Sequence, residues 1–169
     1  VILTADHGEN LGEHGHFEHR FVIYEPLIHV PLLIHYPKSV KPGRVKEEVS
    51  NLNVFATVLD IIDMEAPPTT MEKGSLLEME SGVAYSEIAG AEPSWTNRFM
   101  RHYPDIDWVK MKRSYRSVNK QGWKLIHASD GEQELYSLKE DPGELDNLAE
   151  SKPDKSQNLK QQLQSRVES

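Results

Sequence analysis

The sequence predicts an α/β protein: a mixed sheet with flanking helices, followed by a small antiparallel sheet and a tail helix. Three observations carry this reading. Two short apolar runs, Val1-Ile2-Leu3-Thr4 and Val30-Pro31-Leu32-Leu33-Ile34, flank a loop rich in Gly, His and Glu. Between residues 51 and 63, Leu52, Phe55, Val58, Leu59 and Ile62 recur at helical spacing. Beyond residue 113, three segments of strand character are separated by turn residues.

In chain order, the β-branched run at residues 1–4 predicts a buried parallel strand. Such a strand seldom opens a gene product, so the chain is expected to begin at a cut end. The run at 30–34 is a second strand, and Pro42-Gly43 marks a polar turn. Asn51 is a candidate N-cap for the helix at 51–63. A loop at 66–70 and a strand at 83–88 follow. A long irregular stretch then holds Trp95, Phe99, Tyr103 and Trp108. Core or rim packing is the first expectation for Trp95, Tyr103 and Trp108, and lining a sugar or aryl site the second. Strands at 114–118, 123–127 and 134–138 form a meander, with turns at Lys120-Gln121-Gly122 and Ser129-Asp130-Gly131. The alternation around Trp123 is imperfect, which predicts a sheet partly covered on both faces. Leu159, Leu163 and Val167 give the tail at 154–167 a helical stripe. The organisation is therefore expected to divide into a larger α/β portion, 1–112, and a small antiparallel subdomain with its tail helix, 113–169.

Composition narrows the function classes. A net charge of −8 argues against a nucleic-acid partner, which requires a basic surface to neutralise phosphates. The absence of cysteine removes disulfides, thiolate zinc sites and a cysteine nucleophile from this chain. No apolar run reaches the roughly 20 residues that span a bilayer, so no membrane segment is expected here. No secretory leader is recognisable in this stretch, which leaves the compartment open.

Chemistry concentrates in Thr4-Ala5-Asp6-His7-Gly8-Glu9-Asn10-Leu11-Gly12-Glu13-His14-Gly15-His16-Phe17-Glu18-His19. Asp6 and His7, just beyond a strand, supply a hard anionic oxygen and a neutral nitrogen, a natural pair of divalent-metal ligands. In open α/β sheets ligands gather beyond the carboxyl ends of strands. Gly8 is expected to let the chain turn sharply away from the metal face. His14, His16 and His19 bring three further imidazoles within thirteen residues of Asp6. Taken alone, these residues leave both a metal site and a plain surface turn open.

This stretch, with Tyr24-Glu25-Pro26 and His29 to Ile34, resembles the sulfatases and their phosphonate- and phosphate-ester relatives in the alkaline-phosphatase superfamily. A second signature agrees in order and separation: Trp123-Lys124-Leu125-Ile126, Glu134 to Leu138, then Glu140-Asp141-Pro142-Gly143-Glu144-Leu145-Asp146-Asn147-Leu148. The resemblance is close over 1–37 and 113–149, looser over 44–65, and absent over 90–112. It implies the C-terminal part of an alkaline-phosphatase-like mixed sheet, and a metal-dependent sulfatase that cleaves small-molecule or glycan sulfate esters. It places Asp6 and His7 on two metal ligands, and His19 where the family has a Lys or His contacting the sulfate group and the leaving oxygen. The metal it implies is calcium first, with manganese, magnesium or zinc as alternatives. No catalytic role carries over to His14, which is expected to orient its loop by hydrogen bonding. Glu25 and Arg20 read as surface or packing charges; Tyr136 and Asp141 recur in the family pattern, and Asp141-Pro142-Gly143-Glu144 reads as a structural turn.

The family nucleophile, a formylglycine made within a Cys/Ser-x-Pro-x-Arg motif, has no counterpart. The only Ser-x-Pro, at Ser151-Lys152-Pro153, lacks the Arg. The nucleophile is therefore expected upstream, the chain alone is expected to be inactive, and edges bared by truncation are expected to favour self-association. Two alternatives stay open: a phosphodiesterase, phosphonate hydrolase or phosphoethanolamine-type transferase of the same superfamily, and a non-catalytic metal-binding or interaction module.

Overall fold

Strand propensity and turn chemistry together build the largest element of this computed structural model, a four-stranded antiparallel sheet. The structure describes residues 1–65, 67, 74–78, 82–92, 97, 100–102 and 108–167. The expected loop at 66–70, Pro67 apart, and the aromatics Trp95, Phe99 and Tyr103 lie outside these. Strands β6 (Tyr115–Lys120), β7 (Trp123–Ala128) and β8 (Gln133–Ser137) form the expected meander. Gln121 and Gly122, at φ of 54° and 74°, make the tight hairpin turn whose twist suits antiparallel strands. Strand β5 (Val83–Ile88) pairs with β6 along its whole length, so the sheet runs across the 112/113 division.

Both faces of the sheet are covered. On one, Val118, Leu125 and Leu135 receive Leu159 and Leu163 of the C-terminal helix, Pro153–Val167. On the other, Tyr115, Ile126, Ala128 and Tyr136 receive Val22, Ile23, Tyr24 and Leu27. The period of two along β7 explains the division, because residues 124, 126 and 128 point opposite to 123, 125 and 127. The free edge of β8 is closed by side chain and backbone: Leu135 N–H donates to Asn147 Oδ1 (3.0 Å), and Leu148 N–H donates to Leu135 O (2.8 Å). Trp108 is buried, as core packing requires.

The N-terminal strand departs from expectation. β1 (Ile2–Thr4) pairs antiparallel with β4 (Leu32–Ile34), not in a parallel sheet, and it is not buried. Leu3 and Leu33, opposite each other, are both 56% exposed. Among the described residues β4 is the only strand bonded to β1, so one edge and one apolar face stay open. Between them lie the short ladder of β2 (Asn10–Leu11) with β3 (Phe17–Glu18) and the one-turn helix α1 (Glu25–Ile28).

Helix α2 (Asn53–Ile61) forms where periodicity places it, but it faces the other way. Leu52, Phe55, Val58 and Ile62 are exposed, whereas Asn53, Ala56 and Thr57 are buried. Polar contacts explain the inversion: Asn53 Nδ2 donates to Gly74 O (2.9 Å), and Thr57 Oγ1 accepts from Leu76 N–H (2.9 Å). Nor is Asn51 the N-cap, since Leu52 takes that position without a side-chain cap. A one-turn helix, α3 (Val109–Lys112), precedes β6, and the C-terminal helix is α4.

One side chain breaks the apolar rule inside the sheet. Lys124, fully buried in β7, lies 3.0 Å from Glu25 Oε1 and 2.7 Å from Glu144 Oε1. Asn119, directly across the ladder, also donates to Glu25 Oε1 (3.0 Å). Glu144, at φ 54°, turns its carboxylate inward and accepts from Glu25 N–H (2.6 Å). Burial pushes the Glu144 carboxyl above the usual range, and the Lys124 charge opposes that shift.

Lys124→Met leaves Glu25 and Glu144 facing each other without a cation, and is expected to cost about 3–5 kcal/mol in urea unfolding. Adding Glu25→Gln and Glu144→Gln to it should recover much of that loss. A pH dependence also follows. Burial, aided by Lys110 for His16 and by Lys160 for His127, holds both imidazoles below their ordinary pKa. A depressed folded pKa means stability present above the unfolded value of about 6.5 and lost as pH falls through the folded value. Thermal midpoints should therefore drop between pH 7 and 5, and His127→Gln should flatten the drop. The raised Glu144 carboxyl acts with the opposite sign in both proteins, so their difference isolates the histidine.

Candidate active site

The loop after β1 is held at its root by Asn51, two residues before α2. Asn51 Nδ2 donates to Ala5 O (3.0 Å), and Thr4 Oγ1 donates to Asn51 Oδ1 (3.2 Å). Asn51 thus anchors the loop that carries Asp6 instead of capping its own helix.

Asp6 follows with its side chain 89% exposed, and its Oδ1 accepts from the His7 backbone N–H (3.0 Å). His7 Nδ1 lies 2.8 Å from Gly8 O. A carbonyl only accepts, so Nδ1 carries the proton and the Nε2 lone pair is left available. That nitrogen lies 3.7 Å from Asp6 Oδ2. One hard oxygen and one free imidazole nitrogen, open to solvent and oriented by backbone, fit a divalent cation.

Gly8 acts through space rather than through a special backbone angle. A Cβ there would sit 2.0 Å from Pro26 O, and Gly8 N–H donates to Leu27 O (2.8 Å). The loop is therefore pressed directly onto α1.

His19 comes back to the same place along β3. Its ring stacks on His7 at 4.3 Å between centroids and 18° between planes. Its Nδ1 donates to Glu9 Oε2 (3.2 Å), because a carboxylate can only accept. His7, Glu9 and His19 each bring one ligand atom within 4.8 Å of the others, and all three are exposed. Sequence reasoning paired Asp6 with His7 and set His19 near them, but it missed Glu9, whose position between the two histidines was its only signal.

His14 orients the loop by stacking, not by a hydrogen bond: its ring lies 3.7 Å from that of Tyr24, at 9°. Tyr24 and Tyr136 both donate to Glu134 Oε2 at 2.8 Å. Burial first, then Glu134, holds both phenols protonated well above their ordinary range. Asp141 is structural as expected, its Oδ2 accepting from Leu145 and Asp146 N–H (2.8 and 2.9 Å). Glu25 is a packing charge, while Arg20 is exposed.

The chain, mixed α/β with a four-stranded antiparallel sheet and a C-terminal helix, has the fold of the alkaline-phosphatase-like sulfatases. Residues 12–169 match the family described as N-sulphoglucosamine sulphohydrolase, C-terminal, and the chain belongs to it. It is 32% identical over 152 residues to the N-acetylglucosamine-6-O-sulfatase of Bacteroides thetaiotaomicron, covering 88% of this chain and 26% of that protein. It is 32% identical over 172 residues to arylsulfatase K of Mus musculus, covering 99% of this chain and 30% of that protein. The solved structure of BT4656 in complex with its substrate, D-glucosamine-2-N,6-O-disulfate, superposes with a TM-score of 0.74 at 28% identity, covering 98% of this chain and 33% of that one. The chain thus spans only 26% and 30% of the two curated relatives' lengths.

Gly8→Ala is expected to force α1 and the loop apart at a destabilisation of about 1–3 kcal/mol, measured by urea unfolding. Gly15→Ala is the contrasting substitution: it too replaces a glycine, at φ 75°, but its Cβ would meet nothing within 4 Å. Its cost should be limited to the left-handed backbone, about 1 kcal/mol.

Proposed function

We propose that the protein containing this chain hydrolyses sulfate esters, with a divalent cation held in part by Asp6 and His7. The observation that carries the reading is the free Nε2 of His7 facing the Asp6 carboxylate at 3.7 Å, in a chain of a sulfatase family. Bound there, a divalent cation supplies charge that offsets the sulfuryl oxygens and activates the nucleophile. Calcium fits the carboxylate oxygens, while the His7 nitrogen keeps manganese, magnesium and zinc in play. The relatives' names support sulfated glucosamine, in a glycan or as a small molecule, as the substrate class.

Each residue has a distinct task. Asp6 and His7 bind and orient. As the doubly protonated imidazolium, His19 would donate Nδ1–H to Glu9 and Nε2–H to the departing oxygen, as a general acid or a hydrogen-bond donor. Glu9 fixes the ring plane of His19. The formylglycine nucleophile belongs to the portion of the relatives' length that this chain does not span. A second reading has its own support: the 4.8 Å grouping of His7, Glu9 and His19 suits a site in which His19 is itself a ligand.

Metal content and rate separate the two. In the full-length protein, Asp6→Ala and His7→Ala should lower metal occupancy, whereas His19→Ala should lower kcat about 100-fold or more with metal nearly intact. Equal metal loss in all three variants would favour the second reading. The 169-residue chain alone is expected to show no steady turnover of aryl sulfate or aryl phosphate esters, because no covalent intermediate can form without the nucleophile. We also infer that the open edges of β1 and β4 let isolated copies self-associate, which gel filtration across concentration would report.

A further inference from the structure

We propose that the buried cluster of Lys124, Glu25 and Glu144 is a positioning device for the metal loop, setting through α1 where His7 presents its Nε2. The inference rests on His7 being a metal ligand and adds residues of the four-stranded sheet, of α1 and of the turn after β8.

The contacts form one continuous path. Lys124 Nζ and Asn119 Nδ2, neighbours across the β6–β7 ladder, both donate to Glu25 Oε1 at 3.0 Å. Glu144 Oε2 accepts from Glu25 N–H at 2.6 Å. The first residue of α1 is thus held at its carboxylate and at its backbone, which fixes both the place and the direction of a helix only four residues long. The next two residues of that helix meet the loop. Leu27 O accepts from Gly8 N–H at 2.8 Å, and Pro26 O approaches Gly8 so closely that no Cβ fits. His7 is peptide-bonded to Gly8, and its Nδ1–H is directed by Gly8 O at 2.8 Å. From Glu25 to Gly8 every link is main chain, so a displacement of the Glu25 backbone carries through Pro26 and Leu27 to the loop.

Stability alone does not account for the cluster. An apolar side chain of similar volume serves the interior of a sheet as well as a buried ion pair, and often better. A cation bonded to two carboxylates instead specifies one geometry. Here the geometry specified is that of Glu25.

The test is calcium titration by calorimetry on the full-length protein, at a temperature where circular dichroism finds each variant folded. Lys124→Met is expected to weaken calcium binding about tenfold or more, the effect of losing an outer-shell support. Asn119→Ala keeps all three charges and removes one hydrogen bond, so it should weaken binding by about twofold to fivefold. In a Gly8→Ala background, where the path is already broken, Lys124→Met should add little further loss. A purely structural role would lower thermal stability and leave the affinity of the folded protein unchanged. Wild-type affinity in folded Lys124→Met would overturn the proposal. Should that variant not fold, wild-type affinity in Asn119→Ala would overturn it instead. His7→Ala is the separate control: unchanged affinity there would sink the metal reading itself, whereas loss in His7→Ala alone would sink only the coupling.

Discussion

A lysine with no access to solvent organises this molecule. Burying an ammonium group is unfavourable by several kcal/mol unless charges and hydrogen bonds replace its water, so Lys124 dictates what surrounds it. Glu25 and Glu144 must both reach it, from segments 99 and 20 residues away in sequence. Their arrival docks α1 on one face of the sheet and folds the turn after β8 back under it. The apolar contacts of Val22, Ile23, Tyr24 and Leu27 then fill the space around the cluster. Burial supplies most of the favourable free energy and the ion cluster supplies the register.

The same constraint reaches the loop of histidines. That loop has little core of its own: Asp6, His7, Glu9 and His19 are all exposed, and β2 and β3 are two residues each. Its shape comes from contacts at its rim, with Asn51 at the root, α1 beneath Gly8, and Tyr24 under His14. An open face with a fixed rim suits the proposed site, which has to admit an anionic ester and still hold its ligands within tenths of an ångström. Glu134 adds to this by holding the hydroxyls of Tyr24 and Tyr136 together. The ring that supports His14 is thereby tied to β8.

Local patterns read well wherever a backbone rule decided the outcome. The meander, its Gln121-Gly122 turn and the tail helix follow from period-two alternation, positive-φ turn residues and helical spacing. Helix α2 was equally legible as a helix, yet its outward apolar stripe was not, because Asn53 and Thr57 spend their polar groups on the segment at 74–76. Periodicity reveals which residues share a face, and cannot reveal which face finds a partner.

For the site, the sequence by itself determined the chemistry on offer: Asp6, His7 and His19 in one loop after a strand, in a chain whose residues 12–169 match a sulfatase family. Those facts are short-range, carried by residue type and spacing. The tertiary structure alone decided that β1 runs antiparallel to β4 and that Glu9 joins His19. It also turned Gly8 into a matter of room instead of backbone angle, and brought Lys124 to Glu25 and Glu144. The physical reason is that each of these depends on which distant surfaces meet. A lysine in a strand looks like any solvent-facing residue until two carboxylates from other segments close over it.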